Sequence, residues 1–130
     1  MIALTPISIG ELLDKISILE IKREYILDTA KLVNVCNELR CLTDVRDRLQ
    51  LMNHDSYEEL YGEMYRINRE LWVLEDRIRE LMARPTSDTE FIDTAVSIHK
   101  KNDARAFVKK AANLVFKSEL IEEKSYKEST

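Results

Sequence analysis

A chain of 130 residues with 45% apolar and 34% charged side chains is long enough for one ordinary domain and too apolar for disorder. Its net charge of −4 argues against general nucleic-acid binding, and two Gly and two Pro are too few for a sheet with many tight turns. No apolar run approaches the roughly 20 residues that span a bilayer, and residues 1–5 are too short and uncharged for a signal peptide, so a cytoplasmic protein is expected.

The composition predicts an all-α fold of about five helices in one domain, an antiparallel bundle with coiled-coil-like seams. Ser8-Ile9-Gly10-Glu11 has the spacing of a capping box, in which a Ser oxygen accepts one free helix N–H and a Glu reaches back to another. The first helix then runs from about Ile9 to Leu27, with apolar residues on so wide a face that more than one neighbour is expected. A short break at Asp28-Thr29 makes the second helix an antiparallel partner. That helix runs to about Met52, with Leu32, Val35, Leu39, Leu42, Val45, Leu49 and Met52 recurring every three or four residues. Cys36 and Cys41 on it point to different sides, match no zinc pattern, and read as reduced packing residues.

Ser56 to Glu59 repeats the capping pattern and opens the third helix. Its seam of Leu60, Met64, Ile67, Leu71, Leu74, Ile78 and Leu81 alternates steps of four and three without a miss. Arg84-Pro85 ends it, because a proline disfavours helical geometry in the residue before it. Ser87 to Glu90 caps a shorter fourth helix over about Asp88 to Lys100, with Phe91, Ile92, Ala95 and Ile98 inward. A fifth begins near Asp103, with Ala104, Phe107, Val108, Ala111 and Val115 inward. The mostly charged stretch after Ser118 is expected to fray at its end, with Leu120, Ile121 and Tyr126 as possible anchors.

Charge is unevenly placed. From His99 to Ser118 there are six Lys or Arg against one acid, so the rest of the chain carries −9. Lys101, Arg105 and Lys109 share one face at four-residue steps, and the free N–H groups at the start of a fifth helix would add to an anion site. The competing reading is that these cations pair with acidic neighbours or are solvated. A second constellation, Tyr61, Tyr65, Asn68 and Trp72, runs beside the third-helix seam. Aromatic rings with polar tips suit a ligand groove or a partner surface, and equally a second core face. The carboxylates Glu11, Asp14, Glu75 and Asp76 are a weaker alternative as Mg²⁺ ligands, which would require them to converge. There is no phosphate loop, nucleophile elbow or di-iron motif.

Ile7 to Lys22 (ISIGELLDKISILEIK), Lys101 to Arg105 (KNDAR), Glu122 to Tyr126 (EEKSY), and between them Leu71-Trp72 and Glu75 to Arg79 resemble a small bacterial family, a domain of unknown function. The resemblance covers nearly the whole chain and implies no catalytic role, only a loose association with genes for surface sugars. A Gly-Ser turn is usual in that pattern where Lys117-Ser118 stands here, which bears on how the fifth helix ends. Asn102, Asp103, Arg105, Lys124 and Tyr126 fall in the distinctive blocks without being core hydrophobes.

These observations point to a non-enzymatic binding or assembly module, without metal or cofactor. Its partner would be a protein, a second copy of the chain in a homodimer, or a phosphate-bearing ligand. The alternative is an enzyme acting on a nucleotide-linked or phosphorylated sugar. There Lys15, Lys22, Arg105 and Lys124 would grip phosphate, and Glu11, Asp14 or Glu75 would serve as base or Mg²⁺ ligand.

Overall fold

Ser8 starts the first helix as its spacing predicts: its Oγ accepts from the Glu11 N–H at 3.0 Å. The Glu11 carboxylate does not reach back to complete the box; it pairs with Lys109 and, at 3.7 Å, with Lys15. The computed structural model describes residues 1–84 and 89–125. In it α1 (Ile9–Tyr25), α2 (Thr29–Arg48), α3 (Tyr57–Met82) and α4 (Thr89–Val115) follow one another, with a 3-10 turn at Leu51–Asn53, and no strand occurs among the described residues. No helix among them is long and apolar enough to cross a membrane.

The wide apolar face of α1 is explained by its neighbours, since α1 touches α2, α3 and α4. Leu12, Leu13, Ile16, Leu19 and Ile21 are all buried on it. At roughly 2 kcal/mol for each fully buried large aliphatic, this face anchors α1 firmly. By contrast α2 contacts only α1 and the 3-10 turn and buries only Val35 and Leu39. It begins at Asp28, whose side chain accepts from the Lys31 N–H at 3.0 Å. It also ends earlier than its apolar spacing predicts. Gln50 takes a left-handed conformation (φ 55°), breaks the helix, and turns Leu51 into the core, while Val45, Leu49 and Met52 stay exposed. Both cysteines are free but exposed, so they are not packing residues.

The α3 seam is as expected, with Met64, Ile67, Leu71 and Leu81 buried and Leu60, Leu74 and Ile78 half-buried. Ser56 caps nothing, because its backbone is helical (φ −86°, ψ −3°) and its hydroxyl bonds no amide of the first turn. The Arg84-Pro85 stop and the Ser87 cap involve Pro85, Ser87 and Asp88, which lie outside the described residues.

The expected fourth and fifth helices are one. α4 runs unbroken through Asn102-Asp103 because neither residue caps: Asn102 Oδ1 accepts from Arg105 at 2.9 Å and Asp103 pairs with His99 at 3.5 Å, both along the helix surface. The seam continues through Thr94, Ile98, Lys101, Arg105, Val108 and Ala112, all buried or half-buried. Ile92, Ala95, Phe107 and Val115, expected inside, are exposed instead. Leu120 and Ile121 are also exposed.

The departure at Lys117 has a physical consequence. Past the end of α4, Ser118 N–H donates to Asn113 O at 2.8 Å, and Lys117 sits in the left-handed region at φ 56°. A helix ends this way most readily with glycine, which meets no Cβ clash there. Lys117→Gly is therefore expected to raise the unfolding free energy by about 1 kcal/mol in a urea titration. No gain would mean that the lysine side chain makes up the strain elsewhere.

The chain after α4 returns to the start of α1. Ser8 Oγ donates to Glu122 at 2.7 Å, Asn113 Nδ2 donates to the same carboxylate at 3.2 Å, and Ile9 N–H donates to Ser118 Oγ at 3.1 Å. Desolvation opposes ionisation of Glu122, but hydrogen bonds from Ser8, its own backbone and Asn113, with the charge of Lys109, hold its carboxyl below the ordinary value. A carboxyl depressed in the folded state contributes stability above its unfolded pKa and loses it as pH falls through the folded one. Thermal melts should thus show the parent more stable than Glu122→Gln at pH 6, with the gap closing on acidification below the ordinary carboxylate range. A gap that does not narrow on acidification would contradict this role.

Candidate functional site

The third-helix stripe and the basic face of α4 meet across α1 and α3 in two distinct ways, one closed and one open.

The closed arrangement is a polar tie among three helices. Asn68 is buried, and its Nδ2 donates to Asp14 Oδ1 and to Ser17 Oγ, each at 2.7 Å. Ser17 Oγ donates in turn to the Asp14 carbonyl at 2.7 Å. Arg105 from α4 donates to Asn68 Oδ1 at 3.3 Å, and Lys109 pairs with Glu11 and lies 3.7 Å from Asp14. Buried polar groups demand partners, and here α1, α3 and α4 supply them to one another. One turn earlier on α1, Gly10 lets α4 approach closely, its N–H donating to Asn113 Oδ1 at 2.6 Å.

Lys101, Arg105 and Lys109 therefore share a face, but that face turns inward. Lys101 is paired with Glu70 and Lys109 with Glu11, so the solvated anion site expected at a fifth-helix N-terminus is corrected: there is no helix start at Asp103, and two of the three cations already hold acids. Arg105 differs, since it is bound by the amides of Asn68 and Asn102 and makes no ion pair among the described residues.

The open arrangement is a groove of about 650 Å³ between α3 and α4, lined by Tyr65, Arg66, Arg69, Glu70, Val73, Leu74, Ser97 and Lys101. Its walls are the Tyr65 ring, Val73, Leu74 and the arginine stems; its charges are three cations against one acid. The Lys101 ammonium first, and then Arg66, hold the Glu70 carboxyl below its ordinary value against desolvation. Arg66 is shared between Glu63 at 3.3 Å and Glu70 at 3.0 Å. Arg69 donates to Tyr25 Oη at 3.3 Å and makes no ion pair among the described residues, so it is the least neutralised cation at the groove.

The tyrosine stripe is fixed to α1. Tyr61 and Tyr65 donate their hydroxyls to Glu20 and Glu24, and Trp72 stacks on Tyr25 with centroids 5.7 Å apart and planes at 26°. The hydrogen bond to Glu24, with some burial, pushes the Tyr65 hydroxyl up to about 12; burial first, and then Glu20, raises that of Tyr61. Both remain protonated donors at neutral pH. Only Tyr65 of this stripe lines the groove, while Trp72 reaches it indirectly through Tyr25 and Arg69.

The remaining residues are dispersed. Lys15 is exposed beside Glu11, Lys22 is half-buried on α1, Lys124 is exposed, and Tyr126 lies outside the described residues. Asp76 stands 3.9 Å from Arg79, and no three His, Cys, Asp or Glu side chains converge as metal ligands among the described residues; Glu11, Asp14, Glu75 and Asp76 do not form such a group. Sequence reasoning missed Arg66, Arg69, Glu70, Val73 and Ser97. The available signal was that Arg66 and Arg69 lie one and four residues after Tyr65.

A family model described as a family of unknown function (DUF6165) matches residues 4–130. No curated protein and no solved structure matches the chain.

Proposed function

The chain belongs to this family of unknown function, DUF6165, and we propose that it is a non-enzymatic helical binding module whose α3/α4 groove takes a ligand with an apolar body and a phosphate-type head. The observation that carries this is the pairing, in one groove of about 650 Å³, of apolar walls with an arginine that makes no ion pair among the described residues. That volume lies in the range of small-molecule sites, and a few polar groups on an apolar lining are how such sites orient a ligand. An arginine fork suits a phosphate because it can give two parallel charge-assisted hydrogen bonds. The polar tie holds α1, α3 and α4 at fixed spacing, so the groove is formed before any ligand arrives.

Calorimetric titration with octyl phosphate tests the reading. Saturable 1:1 heat is expected, with octanol and inorganic phosphate each binding far more weakly because each satisfies half of the groove. Equal binding of all three, or of none, would overturn it. An acidic peptide run alongside and binding in place of octyl phosphate would replace the small molecule with a protein partner.

Ile92, Val96, Phe107 and Leu114, exposed along one side of α4, support self-association as a second reading. It requires a concentration-dependent shift in sedimentation velocity.

A further inference from the structure

A second cleft, of about 340 Å³, opens between α1 and α2, away from the α3/α4 groove, and is lined by Glu20, Arg23, Cys36, Leu39, Arg40, Thr43 and Arg46. Three guanidiniums from two helices border it in a chain whose net charge is −4. Arg23 and Arg40 are exposed and make no ion pair among the described residues. Arg46 is different: its side chain is only 15% exposed and is held by Asp47 at 3.0 Å. The cleft thus has one guanidinium fixed in place and two unneutralised ones facing it. Glu20 is its one acid, and that carboxylate already accepts the Tyr61 hydroxyl from the α3 side.

The two guanidiniums without an ion pair repel each other and the fixed one, and an anion between them relieves that repulsion while each fork gains charge-assisted hydrogen bonds. The size of the cleft selects the anion. At about 340 Å³ it is several times larger than one phosphate, and Arg40 and Arg46 stand six residues apart on α2, so a chain of phosphates fills more of the cleft and meets more of its guanidiniums than a single phosphate does. The Thr43 hydroxyl between them donates to the Leu39 carbonyl at 2.8 Å and is not a donor to the anion. We propose that the α1/α2 cleft is an anion site for a polyphosphate chain, contacted by Arg23, Arg40 and Arg46. Arg23 also lies in the last turn of α1, where the helix dipole favours a cation, and it is exposed there.

The cysteines provide the test. Cys36 lines the cleft and Cys41 does not, and both are free and exposed. Maleimide labelling of the two thiols, resolved by peptide mass, is followed with inorganic tripolyphosphate, inorganic phosphate or chloride at matched ionic strength. Tripolyphosphate is expected to slow Cys36 saturably while leaving Cys41 unchanged. Arg40→Gln, an exposed and structurally mild change, should raise the half-protecting concentration about tenfold or more. ATP in a parallel arm separates a free chain from one carried on a nucleoside: equal potency assigns the site to the chain alone, and greater potency adds a contact to the nucleoside. Protection that is equal at both thiols, equal with phosphate or chloride, absent, or unaltered by Arg40→Gln would overturn the proposal.

Discussion

Alanine at the two glycines of this chain is expected to move stability in opposite directions: Gly10→Ala down by about 3 kcal/mol, Gly62→Ala up by about 0.5–1 kcal/mol. Both residues lie within helices, where alanine is intrinsically the better choice. At Gly62 nothing lies within 4 Å of an added Cβ, so propensity alone decides. At Gly10 the Cβ would collide with the Lys109 carbonyl oxygen and stand 2.9 Å from Asn113 Oδ1 and 3.0 Å from the Lys109 carbonyl carbon. The first and last of these atoms belong to the α4 backbone, which no rotamer change can clear. The helices must separate, and the 2.6 Å bond from Gly10 N–H to Asn113 goes with them. Urea unfolding of the two variants measures both signs. A Gly10→Ala protein as stable as the parent would mean that α1 and α4 are not in contact there.

The second large effect belongs to Asn68. Its amide serves Asp14, Ser17 and Arg105 at once, and Asn68→Ala leaves the buried Asp14 carboxylate without its nearest donor and Arg105 without one of its two acceptors. Stranding buried polar groups costs more than the bonds themselves contribute, here about 3 kcal/mol. Lys109, 3.7 Å from Asp14, softens the loss without replacing the donor. A cycle with Arg105→Ala separates the tie from simple truncation: residues that share a network should show a coupling of about 1 kcal/mol or more. Additive losses would mean that Arg105 stands outside the network.

The sequence pattern made some elements plain and hid others for identifiable reasons. α3 was legible because every seam position from Leu60 to Leu81 is a large apolar residue. The α4 seam has the same alternating rhythm, but Thr94, Lys101 and Arg105 occupy three of its positions, so the apolar period breaks and a new helix is read as starting near Asp103. Those polar seam residues are inside because Glu70 and Asn68 on α3 meet two of them, a complementarity between helices that no single helix displays. For the same reason Tyr65 and Lys101 were singled out yet not placed in one groove: their meeting depends on the register of α3 against α4. Arg40 and Arg46 of the α1/α2 cleft were overlooked because charged residues on a helix such as α2 resemble any solvated face until α1 is laid beside them. Ser8, by contrast, was readable at once, since its cap involves residues only three apart.

The groove itself is tested most directly by the chain's one tryptophan. Trp72 stacks on Tyr25, whose hydroxyl accepts from Arg69 at the groove, so an anion that draws Arg69 away changes the surroundings of the indole. Titration with octyl phosphate should shift Trp72 emission along a saturable curve. Val73→Glu, which sets a carboxylate on an exposed part of the groove wall and leaves the core untouched, should weaken the apparent affinity at least about tenfold with stability within about 0.5 kcal/mol of the parent. A curve that does not saturate, or one that Val73→Glu leaves unmoved, would contradict the assignment of this groove as the binding site.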